Sequence, residues 1–250
     1  MTDSGLSGFA LHDIKHSSAS SINLFDDAPD IFVAEKLCGL KGTVGPAAHR
    51  GNAVEYALVQ ILANGFDHSR ALDMGIAQFN AKTALIGGEK TDKEREVIPG
   101  CVEQGLLALK DLGIPEFDGD GKQHKIELLC KTPEWSLPLI GFLDLLYPHS
   151  GRIVDIKTTL KAPSEMSIGH KRQAAIYQGA RGNQAVDFLY LTPKKFIWHK
   201  CDDVAGTLAE CKQILIRQEE FLRNTTKEEL APWFATYKKM FPQGRNRFNF

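Results

Sequence analysis

Two aspartates and a lysine in one short stretch have the makings of a hydrolytic site. The chain runs Gly141-Phe142-Leu143-Asp144-Leu145-Leu146-Tyr147, then Pro148-His149-Ser150-Gly151, then Arg152-Ile153-Val154-Asp155-Ile156-Lys157-Thr158-Thr159. Two apolar runs around a Pro/Ser/Gly turn predict an antiparallel hairpin. With Pro148 facing Gly151, Asp144 falls opposite Asp155 and Phe142 opposite Lys157. Cross-strand neighbours have Cβ atoms about 4.5–5.5 Å apart, and like charges there are destabilising. Apolar surroundings raise the cost, and a divalent cation between the carboxylates removes it. Side chains alternate along a strand, so Asp155 and Lys157 share one face while Val154 and Ile156 fill the other.

Such a set suits phosphodiester hydrolysis. Hard oxygen ligands select Mg²⁺ or Mn²⁺, which acidify water and offset charge on the transition state. Lys157 can neutralise a phosphate oxygen as charge develops there. The plain alternative is an ion-paired surface hairpin. That is the commoner meaning of a bare Asp-x-Lys, but it explains two acids inside apolar runs poorly.

These residues need a scaffold, and the pattern along the chain supplies one. Ser17 to Phe25 reads as a capped helix start interrupted by Pro29. Gly45-Pro46 opens a segment with Val54, Leu58, Ile61 and Leu62 at helical spacing, closed by Asn64-Gly65. Phe66 to Leu109 reads as mostly helical, with a polar loop around Gly87 to Asp92. After the turn cluster Gly119 to Lys122, strand-like runs follow at Lys125–Lys131, Leu137–Tyr147 and Arg152–Leu160. Ser167 to Ala180 returns to helix, Ala185–Thr192 and Phe196–Cys201 read as strands, and Val204–Arg223 as a long amphipathic helix. The expectation is one α/β domain over 1–250: a mostly helical part to 118, a sheet part over 119–200, and a closing helix with an aromatic, basic tail.

Thirty basic and thirty-one acidic residues leave a net charge of -1, which excludes a polybasic nucleic-acid binder as a whole. The charge is uneven, however. Arg152 to Lys200 holds nine Lys or Arg against three Asp or Glu, whereas Met1 to Gln60 holds four against seven. Such an imbalance gives an anionic partner a face to meet. No apolar run approaches the roughly 18–20 residues of a membrane span, and Met1 to Asp13 lacks a secretory pattern. The five cysteines include no CxxC pair, so cytosolic thiols are expected. No HxH or GxxxxGK[ST] pattern occurs.

Gly141-x-x-Asp144, ten intervening residues, Asp155-Ile156-Lys157-Thr158 and then Gln173-x-x-x-Tyr177 resemble the RecB-like branch of the PD-(D/E)xK nucleases. Within it, their order is most similar to phage and prophage recombination exonucleases of the RecE kind, over roughly Ser18 to Thr192. The resemblance implies a restriction-endonuclease-like core, a central mixed sheet flanked by helices, and divalent-metal-dependent cleavage of DNA. By position it makes Asp144 and Asp155 metal ligands, adds the Ile156 carbonyl, and makes Lys157 the catalytic lysine. It implies an exonuclease on linear duplex DNA, acting in the cytoplasm of a bacterial host beside a single-strand annealing protein, with a homo-oligomer allowed. An endonuclease or flap-type enzyme, and a non-catalytic DNA-binding module, are the alternatives.

Other positions carry two readings each. Glu55 flanks an apolar helical stripe and could be a snorkelling edge residue. The family's Gly-x-x-x-His/Glu pattern, matched by Gly51 to Glu55, makes it a further ligand and catalytic residue. Arg50, one turn earlier, meets a phosphate or is solvated. Gln173 and Tyr177 share one helical face; the family places them beside the active site and the DNA. Thr158, Lys161, Lys171 and Arg172 are phosphate contacts or plain surface residues. Ser20 bonds a phosphate or caps its helix, with capping the stronger reading. Glu127 either supports the metal site or faces solvent. Ala28-Pro29 stands where iron–sulfur relatives carry Cys-Pro, and Cys201 and Cys211 lack the spacing, so no cluster is expected.

Overall fold

Strand residues Ala185–Leu191 bury opposite sides alternately: Val186, Phe188 and Tyr190 enter one apolar cluster, Leu189 and Leu191 the other. A strand buried on both faces requires a layer of helices on each side. In a computed structural model of the protein, both layers are present. The structure describes residues 7–39, 42, 44–117, 123–129, 137–182, 184–226 and 228–229, with the backbone alone over 124–129.

Among the described residues, seven helices precede the first strand: α1 (Gly8–Leu11), α2 (Ala19–Asp27), α3 (Pro29–Phe32, running into a π-helical turn at Val33–Leu37), α4 (Pro46–Leu62), α5 (His68–Thr83), α6 (Glu89–Glu96) and α7 (Ile98–Leu109). Strands β1 (His124–Leu129) and β2 (Pro138–Leu143) form an antiparallel pair. A four-stranded mixed sheet has the order β3 (Leu145–Tyr147), β4 (Arg152–Thr158), β5 (Ala185–Leu191) and β6 (Phe196–Lys200). Within this sheet β4 and β5 run parallel, and α8 (Ile168–Ala180) makes the crossover between them. Helix α9 (Val204–Arg223) follows β6. One apolar cluster joins the sheet to α2, α8 and α9, the other to α4, α5 and α7. The protein is therefore α/β, a mixed sheet between helices with a helical N-terminal part. Among the described residues, no helix is long and apolar enough to cross a membrane.

Most element boundaries follow local chemistry. Gly45 and Pro46 open α4, and Ser167 caps α8 by accepting from the His170 amide. Pro29 does not merely interrupt a helix; it starts the next one. The polar loop expected around Gly87 to Asp92 is shorter than that, because α6 begins at Glu89. Its charges suit a helix: Glu89 and Asp92 lie in the first turn, Lys93 and Arg95 in the last. The turn at Gly119–Lys122, the strand end at Lys131 and the tail over 241–250 lie outside the described residues.

The expected hairpin is present, with Leu145 opposite Val154 and Tyr147 opposite Arg152. Its continuation needs correcting. The run Leu137–Tyr147 is broken at Asp144, and Phe142 pairs with Lys125 of β1 instead of Lys157. Two carboxylates directly opposite would repel, and the ladder stops one pair short of that juxtaposition.

Arg50 also differs from expectation. It is buried, its guanidinium paired with the buried Glu94 of α6 and donating to the Thr158 side chain and carbonyl. A buried arginine so engaged has no face left for a phosphate; it pins α4 to the end of β4. Removing one partner of a buried pair costs about 3–5 kcal/mol. Arg50→Met should lose about that much in urea denaturation, and adding Glu94→Leu should recover most of it.

Candidate active site

The site forms where the chain changes partners, between β2 on β1 and β3 on β4. At that break Asp144 bends its carboxylate to the neighbouring strand, and Oδ2 accepts from the Ile156 amide at 2.7 Å. The N–H and C=O of one strand residue point to the same side, so the Ile156 carbonyl faces this edge as well. Asp155 and Lys157 project from β4 toward α8, and Lys157 Nζ lies 2.5 Å from Asp155 Oδ1. The ammonium also stands 5.2 Å from the centroid of the Phe188 ring.

Helix α8 contributes Gln173, whose Nε2 donates to Asp155 Oδ2 at 2.6 Å and to the Tyr177 hydroxyl at 2.8 Å. Tyr177 in turn donates to the Phe142 carbonyl at 2.9 Å. A Cβ at Gly141 would overlap the Tyr177 ring, which gives the glycine of Gly141-x-x-Asp144 a physical reason. From the other side α4 buries Ala53, Val54, Ala57 and Leu58 and leaves Glu55 on the flank. Gln123 closes the group: its Nε2 donates to Glu55 Oε1 at 2.6 Å and to Asp144 Oδ1 at 2.8 Å.

Electrostatics reflect the crowding. Burial, then the charges of Asp155 and Glu55, hold Asp144 well above the ordinary carboxyl range. Burial and the charge of Asp155 push Glu55 up to about 7. Asp155 is also raised by burial, although Lys157 works against this. Burial opposes the charge on Lys157, but Asp155, Asp144 and Glu55 outweigh it and the net shift is upward. Once the three acids are ionised, one ammonium among them leaves a surplus of negative charge.

Two grooves meet here. One, of about 900 Å³, carries Lys157, Lys161, Lys171 and Tyr190; the other, of about 940 Å³, carries Ser20, Gln123, Asp144, Gln173 and Tyr177. Ser167 and His170 line both. His170 Nδ1 is 2.6 Å from the Tyr190 hydroxyl, and burial plus the nearby Lys157 lower its pKa to about 4.

The structure thus brings together Glu55, Asp144, Asp155, Ile156, Lys157, Gln173 and Tyr177, and places Lys161 and Lys171 along one groove. Thr158 borders that groove but is held by Arg50. Arg172, expected at a phosphate, is buried, bonded to Asn23, Asp26 and Glu210; this corrects the expectation, because those partners take both terminal nitrogens of its guanidinium. Ser20 is not the cap of α2. Ser18 accepts from the Ser21 amide, and Ser20 stands exposed with its Oγ 2.9 Å from that of Ser18. The side chain of Glu127 lies outside the described residues. Gln123 and His170 were not anticipated. His170 sits three residues before Gln173, on a neighbouring position of the same helical face; Gln123 has no local signal at all.

The sequence matches no protein-family model and no curated protein. Among solved structures, one titled "Crystal structure of SSO0001" is 14% identical, over 66% of this chain and 75% of that one, with a TM-score of 0.36. A likeness that weak carries no argument about the site.

Among the described residues no three His, Cys, Asp or Glu side chains stand at ligand spacing; N–H groups from Gln123, Gln173 and Lys157 occupy the carboxylate oxygens instead. The donor chemistry nevertheless fits a hard divalent cation: all-oxygen ligands with surplus negative charge. The sign of the pH dependence follows. Glu55 binds a proton more tightly folded than unfolded, so ion-free stability falls as pH rises from about 4.5 toward about 7. A bound cation removes that loss. Thermal melting should show a larger gain from excess Mn²⁺ at pH 8 than at pH 5. At a hundredfold excess over Kd the gain is about 2.7 kcal/mol, or roughly 5–10 °C. Glu55→Gln should flatten the pH dependence in EDTA.

Proposed function

We propose that this chain is a Mg²⁺- or Mn²⁺-dependent deoxyribonuclease with a restriction-endonuclease-like core, hydrolysing linear duplex DNA from its ends. The observation that carries this reading is the meeting of Glu55, Asp144, Asp155 and Lys157, with Asp144 lining one groove and Lys157 lining the other beside Lys161 and Lys171. The ordered motifs from Gly51 to Tyr177 add to it, and the exonuclease mode comes from the resemblance they carry. Action beside a single-strand annealing protein, in a bacterial cytoplasm and as a homo-oligomer, belongs to the same proposal.

Glu55, Asp144, Asp155 and the Ile156 carbonyl would hold the cation. When bound, it supplies Lewis acidity, making water a better nucleophile and offsetting charge on the phosphate. The protein supplies position. Gln173 holds Asp155 through one carboxylate oxygen, and the Ile156 amide holds Asp144 through another. Lys157 presents its ammonium to the same space and stabilises negative charge as phosphorus is attacked. Lys161 and Lys171 line the same groove as Lys157 and would supply countercharge to the backbone of a bound strand. His170, held neutral, offers an uncharged hydrogen-bonding edge to both grooves.

The test is digestion of duplex labelled at either end, with Mg²⁺, Mn²⁺ or EDTA, beside a covalently closed circle. Loss of label in metal only, with the circle intact, is expected. Cleavage of the circle would replace the exonuclease mode with an endonuclease, and binding without cleavage would remove the catalytic reading. Lys157→Ala should lower the cleavage rate about 10²–10³-fold, with DNA binding retained in a gel-shift assay.

A further inference from the structure

Among the described residues, the one side chain outside the motifs that touches two of the proposed ligands is Gln123. It directly precedes β1, and the ladder pairs the next residue, His124, with Leu143 of β2. Continued by one step, that register puts Gln123 beside Asp144. Its reach to Glu55 then spans the gap between α4 and the strand break. The two contacts, at 2.6 and 2.8 Å, come from one nitrogen. A primary amide carries two N–H donors, and here each meets a different carboxylate.

The chemistry of that choice is informative. A lysine or arginine in the same place would neutralise the acids and exclude a cation. An amide bridges them without adding charge, so the pull on a cation survives. The other end of the same amide is a carbonyl oxygen, a hard ligand of the kind Mg²⁺ and Mn²⁺ accept. The torsion that exchanges nitrogen for oxygen is broad and roughly two-fold. Few side chains could serve both states of such a site, and glutamine is one.

We propose that Gln123 is a further arm of the cation site: its amide nitrogen spans Glu55 and Asp144 in the ion-free protein, and its carbonyl turns to the ion, directly or through water, when one binds. The proposal rests on reading the carboxylate cluster as a divalent-cation site. It gives Gln123 a positioning role in the empty site and a ligand role in the loaded one, and it explains why the acids stand apart without collapsing or repelling freely.

Two measurements on the whole chain test it without reference to cleavage. In calorimetric titration with Mn²⁺, Gln123→Leu should bind about 10–100-fold more weakly than wild type, whereas Gln123→Glu, which keeps an oxygen and drops the donors, should bind at least as tightly. In a nitrogen–proton correlation spectrum, one side-chain amide signal should be absent from Gln123→Glu and should move in wild type on adding Mg²⁺. Should Gln123→Leu fail to fold, the glutamate variant and the spectrum still decide. Equal or tighter Mn²⁺ binding by a folded leucine variant overturns the proposal, as does a signal indifferent to Mg²⁺. Wild-type protein that takes up neither ion overturns the cation site itself, and this inference with it.

Discussion

Repulsion between carboxylates inside a folded protein is the constraint around which this structure is arranged. Glu55, Asp144 and Asp155 arrive from a helix, a strand break and a strand, and burial leaves each with little water to screen it. Several polar neighbours answer to them. Lys157 and Gln173 serve Asp155, the Ile156 amide serves Asp144, and Gln123 serves Asp144 and Glu55 together. An isolated domain selected only for stability would replace such acids with apolar residues. Their retention behind a groove that Asp144 lines, next to one that Lys157 lines, is the strongest argument for chemistry here.

The sheet makes this possible by being irregular in one place. Elsewhere apolar residues alternate between the two clusters, and both faces of β5 are covered by helices. At Asp144 the backbone leaves one partner and takes another, freeing the edge of β4 from Asp155 onward on that side. An edge normally exposes unpaired backbone groups. Here a side-chain carboxylate satisfies one of them, so the same residue finishes the ladder and supplies charge.

Much of this was legible in the chain. Period-two runs around Pro148–Gly151 gave the hairpin, and alternation alone put Asp155 and Lys157 on one face. The i, i+4 spacing stacked Gln173 on Tyr177. What failed was whatever depended on distant partners. Arg50 and Arg172 read as free cations because nothing local announces Glu94, or Asp26 and Glu210, as their partners. Phe142 was assigned to the wrong strand because β1 pairs with β2 across a segment whose length has no pattern to read. Gln123 was invisible for the same reason: it matters only through where β1 begins. Single-residue propensity sees the backbone well and long-range polar pairing hardly at all.

The Arg50 pin has an implication for how the molecule is made. Glu55 emerges from the ribosome well before Lys157, by roughly 5–20 s at ordinary elongation rates. Through that interval α4 and its acid carry no penalty, because the opposing aspartates do not yet exist. The cost appears only when α4 seats against β4 and Arg50 finds Thr158. Seating α4 against β4 is thus the event that first confronts an acid made early in the chain with acids made late, and the arginine that fixes the helix also fixes how closely they meet.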